Sequence, residues 1–235
     1  MSVAAARPVT LSDFSSCEIS DALIKLGVPH GGHIPDISMF SPTPPASTRS
    51  GKICAPAYTV KMVPANDNTS PRLSAHFVDT VTPGSVIVIV APPDTKNAVW
   101  GGLMTAGAQA RGAVGVVISG RCRDLAEHRA AGFPVFARGH STLGQGTFVR
   151  PSAIDIPLVI TPEGVEGSSG AFPSTEVLPG DWIIADEDGV VCVPQSLVDQ
   201  VVELATIGRE IDARCMEDIK AGKGIQASFL KYRGK

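Results

Sequence analysis

Two short apolar runs with a glycine-rich stretch between them limit what this chain can fold into. Val86 to Val90 reads Val-Ile-Val-Ile-Val with no polar face, and Val114 to Ile118 is a second such run. A β-branched run without alternation is what a strand covered on both faces looks like. After a loop at Pro92 to Lys96, the small residues from Val99 to Arg111 suit a helix, which Gly112 ends. Strand, helix and strand in that order predict a βαβ unit with a parallel pair, and groups that meet a ligand then lie beyond the strands' C-terminal ends.

The flanking segments fit around that unit. Phe14 to Leu26 carries apolar residues at helical spacing, with Ser15 or Ser16 as N-cap and Gly27 as the stop. Gly31 to Pro45, rich in Gly, Pro and Ser, reads as a loop. Lys52 to Val63 reads as a strand broken by Pro56, Leu125 to Ala131 as a short helix, Pro134 to Ala137 as a short strand, and Ile156 to Ile160 as another. Trp182 to Ala185 and Val190 to Val193, joined by a turn, predict a hairpin. Ser196 to Met216 is a long amphipathic helix with Val198, Val201, Val202, Leu204, Ala205, Ile211 and Met216 on its apolar side. Gly222 to Lys235 reads as a basic tail.

Composition narrows the function. Over 235 residues, 43% are hydrophobic and 18% charged, with a net charge of -3 that offers no general attraction to nucleic acid or acidic membranes. Small molecules or protein partners are favoured. One domain over 1–235 is expected, with a helical N-terminal extension (about 1–30) and a C-terminal helix and tail (about 196–235). The first eleven residues show no signal-like apolar run and no segment has the length of a membrane span, so a cytoplasmic protein is expected. The five cysteines lack close CxxC spacing and read as reduced, mostly structural thiols.

The chemistry concentrates between Trp100 and Glu127. Gly101 and Gly102 open a helix whose free amides can cradle a carboxylate. Arg123 and Asp124, at the end of the next strand, offer a guanidinium fork for a carboxylate or enolate and a hard oxygen ligand for a cation. A solvated ion pair with Arg121 or Glu127 is the plainer alternative. His128 reads as a surface or helix-end residue, or one at a pocket rim. Arg138 reads as a brace on loop carbonyls. Glu203, Glu210 and Glu217 form a solvated or interface stripe.

Several pieces together resemble the RraA-like family, which includes 4-hydroxy-4-methyl-2-oxoglutarate aldolases, oxaloacetate decarboxylases and an inhibitor of RNase E. They are Ile19-Ser20-Asp21-Ala22-Leu23, Trp100-Gly101 followed by Arg123-Asp124 and then Glu127, Pro134-Val135-Phe136-Ala137-Arg138-Gly139, Pro179-Gly180-Asp181, and Asp188-Gly189-Val190-Val191. The resemblance implies an α/β fold, a compact β/β/α sandwich with a barrel-like mixed sheet of the swivelling-domain type. It implies a homotrimer or homohexamer with the site at the subunit interface. It further implies that Mg2+ or Mn2+ is held at Asp124, with Glu127 in a supporting position. A small 2-oxo acid would be bound by Arg123 and the backbone of Gly101, Gly102, Leu103 and Met104. The activity implied is retro-aldol cleavage of a 4-hydroxy-2-oxo acid, decarboxylation of oxaloacetate, or both, with Arg123 and Asp124 as the catalytic pair. A non-enzymatic regulator that binds a protein partner and a lyase for another oxo acid stay open. Two positions depart from the pattern: Gly102 stands where many relatives have the acid of WGEL or WGDL, and Ser119 where many have Asp before glycine.

Overall fold

The computed structural model describes residues 9–42, 51–164 and 172–234. It begins with helix α1 (Ser16–Lys25), whose start is closed as expected: Ser15 Oγ accepts from the Glu18 amide at 3.2 Å and the Glu18 carboxylate accepts from the Ser15 amide at 2.7 Å. Two short strands follow, β1 (His33–Ile34) and β2 (Ser38–Ser41), in the segment expected to be a loop. Turn residues dominate that segment, but Ile34 and Ile37 are buried, and pairing with distant strands overrides the local composition. Positions 43–45 of the segment lie outside the described residues.

Strand β3 (Ile53–Pro64) runs through Pro56 without the expected break. Ala57 donates to the Asp181 carbonyl, so the nitrogen of Pro56, one residue earlier, faces the other edge, where pairing begins only at Ala57 with Val86. No ladder hydrogen bond is lost there. Next come β4 (Val86–Val90), β5 (Ala98–Trp100), α2 (Gly102–Ala110), β6 (Gly115–Cys122), α3 (Leu125–Ala131) and β7 (Val135–His140). β4 pairs with β6, and β6 with β7, in parallel, as the βαβ pattern requires. The helix starts at Gly102 rather than Val99, because Ala98 to Trp100 lie extended against Arg121 and Cys122, and β6 continues beyond Ile118 to provide that edge.

The rest of the chain adds β8 (Val149–Ile154), β9 (Leu158–Ile160), β10 (Thr175–Val177), the expected hairpin β11 (Trp182–Asp186) and β12 (Gly189–Val193), and helices α4 (Val198–Lys220) and α5 (Ile225–Arg233). The expected tail is therefore largely helical. Its cations find acids on α4: Lys231 reaches Asp218 at 3.2 Å and Arg233 reaches Asp212 at 2.5 Å. Met216, expected on the apolar side of α4, is 53% exposed.

Ten strands form one mixed sheet whose path runs β1-β12-β11-β3-β4-β6-β7-β2, with β5 beside β6 and β8 beside β3. The two ends of that path, β1 and β2, are separated in the chain by only Pro35, Asp36 and Ile37. Four Cα steps span at most about 14 Å, so the sheet curls until its ends nearly meet, the barrel-like form expected. Alternation then divides the side chains. Val86, Val88, Val117, Phe136 and Ile183 point inward to one core, while Ile87, Ile89, Val116 and Ile118 join a second core with Phe77, Trp100 and Phe133. Ile184, Val191 and Val193 pack against α1 and α4 in a third. Among the described residues no helix is long and apolar enough to cross a membrane.

Candidate active site

The C-terminal end of β6 and the start of α2 are held together through Trp100, Arg123 and Asp124. Trp100 is buried and stacks on Phe133 with ring centroids 6.3 Å apart. The Arg123 amide donates to the Trp100 carbonyl at 2.9 Å. Asp124 then takes a left-handed conformation (φ 60), which Asp tolerates better than most residues, and begins α3. On a strand Arg123 and Asp124 would face opposite ways. The left-handed turn swings both to one side, where Arg123 Nε lies 3.3 Å from Asp124 Oδ2.

That carboxylate reaches across to α2, where Asp124 Oδ2 accepts from the Gly102 amide at 3.0 Å. One of the amides expected to cradle a substrate is therefore already engaged. Leu103 and Met104 follow it in the first turn, where no earlier carbonyl of the helix is available to their amides. Close approach explains both glycines: a Cβ on Gly101 would lie 2.6 Å from Asp124 Oδ2, and one on Gly102 only 1.5 Å from Glu127 Oε2. The Glu127 carboxylate thus fills the space of the side chain missing at Gly102, so a carboxylate is retained at that spot from another position. Ser119 returns none; it is buried within β6, paired with Val90.

Gly101, Leu103, Met104, Arg123 and Asp124 line one cleft of about 100 Å³. Gln145, which nothing in the sequence reading singled out, lines it too. Its only signal in the sequence is a polar side chain between two glycines, Gly144 and Gly146. Leu103 at the mouth is 86% exposed. The plainer alternative for the charges also changes form: Arg123 and Asp124 pair with each other rather than Asp124 with Arg121 or Arg123 with Glu127.

His128 is not the surface residue expected. It is 0% exposed, and Trp100 Nε1 donates to Thr105 Oγ1 at 2.9 Å, which in turn lies 2.9 Å from His128 Nδ1. Burial pushes the imidazole below its ordinary value, so it is neutral at neutral pH. The buried row Trp100, Thr105 and His128 ties α2 to α3 behind the cleft. Arg138 acts as the brace expected, donating to the Thr161 carbonyl. Glu203, Glu210 and Glu217 are exposed on α4.

The donor set bears on a metal. Asp124 and Glu127 offer two carboxylates beside Gly102, and among the described residues no group of three His, Cys, Asp or Glu converges. Few protein oxygens with water and substrate completing the shell is a pattern that suits Mg2+ or Mn2+ and does not suit the closed nitrogen and sulfur sites of zinc.

A curled mixed sheet with a cleft that holds Arg123 and Asp124 at a helix start defines the class, and similarity gives the family. The chain belongs to the RraA-like family: the Aldolase/RraA pattern matches residues 16–192. Protein DlpA of Legionella pneumophila is 29% identical over 223 residues, 94% of this chain, which spans only 33% of DlpA's own length. A protein of Albidiferax ferrireducens provisionally named as a 4-hydroxy-4-methyl-2-oxoglutarate aldolase is 30% identical over 194 residues, covering 79% of this chain and 98% of that one. The crystal structure of an uncharacterized protein from Pseudomonas syringae superposes with a TM-score of 0.73 at 28% identity, covering 95% of this chain and 99% of that one.

Proposed function

We propose that this chain is a divalent-metal-dependent lyase that cleaves a carbon–carbon bond next to a pyruvyl group, in a 4-hydroxy-2-oxo acid, in oxaloacetate, or in both. The observation that carries the reading is the convergence of Arg123, Asp124 and the open first turn of α2 on one cleft, with the Glu127 carboxylate standing beside Gly102. Asp124, supported by Glu127, would hold Mg2+ or Mn2+, which when bound supplies Lewis-acid polarisation of the substrate's keto group. Arg123 and the amides of Leu103 and Met104 are donors, and they complement the substrate carboxylate and the oxygen that becomes negative as the bond breaks. In the retro-aldol the C3–C4 electron pair passes into a pyruvate enolate, the C4 hydroxyl becomes a carbonyl as its proton leaves to solvent, and C3 of the enolate is then protonated. In decarboxylation the same enolate forms as CO2 departs. Neutral, buried His128 supports the turn rather than carrying the proton.

Assembly as a homotrimer or homohexamer with the cleft at the subunit interface belongs to this reading, and exposed Leu103 at its mouth supports it. The test is a coupled pyruvate assay on oxaloacetate and on 4-hydroxy-2-oxo acids, after chelation and after adding back Mg2+ or Mn2+. Activity should vanish with chelator and return with either ion. Full activity in excess chelator after dialysis would remove the metal from the reading.

A further inference from the structure

Resting on the lyase reading, we propose that His128, acting through Thr105, is a positioning residue for the reaction: their buried hydrogen bond keeps the first turn of α2 in register with the Arg123–Asp124 turn while the Asp124 carboxylate engages a cation. Among the described residues, successive hydrogen bonds run like rungs between α2 and the segment that starts α3. Asp124 Oδ2 accepts from the Gly102 amide at 3.0 Å. Thr105 Oγ1 lies 2.9 Å from His128 Nδ1. Gln109 Nε2 donates to the Ala131 carbonyl at 3.0 Å. Each rung stands about one helical turn beyond the one before on both sides, so one face of each helix carries them all.

The rungs differ in what can disturb them. The first uses the carboxylate that would hold Mg2+ or Mn2+, so a cation there competes with the Gly102 amide for the same oxygens. The last is exposed, and water competes for it. The middle rung is out of reach of both, with Thr105 2% and His128 0% exposed. It is also the one whose partners are fixed in turn. Trp100 Nε1 donates to Thr105 Oγ1 at 2.9 Å, and the Trp100 carbonyl accepts from the Arg123 amide at 2.9 Å. The imidazole lies against the main chain of Arg123. The contacts close a circuit from Arg123 through Trp100, Thr105 and His128 back to Arg123.

Stability does not require a polar pair at that place, since an apolar pair of the same shape serves nearly as well. The pair adds direction. Apolar surfaces slide over one another at little cost, whereas a hydrogen bond of 2.9 Å fixes which turn of α2 faces which turn of α3. A slip between the two helices would shift the Leu103 and Met104 amides relative to Arg123 and Asp124, and small displacements of that kind act strongly on bond cleavage.

The experiment compares the full wild-type chain with two variants. His128→Leu keeps a similar volume and removes the rung, while Thr105 stays paired with Trp100 and can turn its hydroxyl to a carbonyl of its own helix. His128→Asn returns a polar group near the place of Nδ1. The readouts are Mn2+ affinity by electron paramagnetic resonance with the metal alone, the urea unfolding midpoint, and kcat and KM at saturating Mn2+. The substrate is whichever of oxaloacetate and 4-hydroxy-4-methyl-2-oxoglutarate the wild type cleaves. For His128→Leu we expect Mn2+ affinity and kcat each to fall roughly tenfold to a hundredfold, with the urea midpoint little changed and KM within about threefold. His128→Asn should recover both to within about fivefold of wild type. A leucine variant with wild-type affinity and kcat leaves the pair as packing, and an asparagine variant as impaired as leucine assigns the effect to the shape of the ring; each overturns the inference. A change in KM alone overturns it too. His128→Met takes the place of leucine should that variant not fold, and failure of both to fold makes the pair structural and ends the inference. A wild-type protein that cleaves neither substrate with Mn2+ present defeats the lyase reading itself, before any variant is compared.

Discussion

Helix α1 closes its first turn with its own neighbours, Ser15 and Glu18, and Arg209 of α4 then grips the Glu18 carboxylate at 2.6 Å. Helix α2 has Gly101 at the same position and no capping side chain of its own; it takes one oxygen from Asp124, 22 residues further along. The first arrangement satisfies the helix whatever else is bound. The second makes the start of the helix depend on a charged turn from another element, and leaves two first-turn amides, of the cleft-lining Leu103 and Met104, without a carbonyl of their own helix. A helix start that is poorly served locally is one that a ligand can complete.

The contrast breaks most sharply at Asp124. Asp124→Asn keeps an oxygen for the Gly102 amide but loses the charge that would hold a cation. Turnover on oxaloacetate should fall by at least about 100-fold, the upper figure for losing even an outer partner of a metal ligand. Stability should stay within about 1 kcal/mol of wild type. Wild-type kinetics at limiting Mg2+, with the melting temperature unchanged, would show that the carboxylate serves α2 alone.

Gly102→Ala should separate stability from activity. An added methyl collides with the end of the Glu127 side chain, which is exposed and can swing away, while alanine favours the helix by up to about 1 kcal/mol. The melting temperature should hold or rise. Pyruvate release should fall on the order of tenfold to a hundredfold, the scale on which small displacements at a reacting centre act. A variant as active as wild type would mean that the position of Glu127 does not matter.

At α1 the effect is smaller and purely structural. The Arg209 guanidinium, hydrogen-bonded to Glu18, holds its carboxyl at about 2, below an ordinary 4.5. A depressed carboxyl stabilises the fold fully above its unfolded value, and that contribution is lost as pH falls through the folded one. Because both side chains are partly solvated, Glu18→Gln should cost only roughly 1 kcal/mol at neutral pH, read by urea unfolding. The gap from wild type should close as pH drops from 4.5 towards 2. A gap that stays constant over that range would assign the loss to packing rather than charge.

The same contrast explains what the sequence disclosed. The cap at Ser15 and Glu18, the run Val86 to Val90 and the hairpin after Asp181 follow from residues close together in the chain, so their signals are local. Arg123 and Asp124 stood out because their residue types are chemically specific and the strand-helix-strand order put them at a strand's end beside a glycine-rich helix start, and the family resemblance then gave them roles. Strands β1 and β2 were hidden, since their pairing is with segments far away and their own composition argues for a loop. His128 was misjudged because nothing near it in sequence shows Thr105, which occupies its Nδ1. Gln145 carries no motif at all; its place at the cleft is set by a loop that only the folded chain displays.

The short link through Pro35, Asp36 and Ile37 has a consequence for how the molecule assembles. Joining the two margins of a curled sheet would ordinarily require a long excursion of chain, with an entropy cost that grows with its length. Here the seam is spanned by consecutive residues, so the last closure is among the cheapest in the fold once β12 and β7 are in place. The same brevity makes the seam unforgiving. A single inserted residue would turn one margin's side chains over relative to the other, and the ring would have to choose which half of its wall to keep in register.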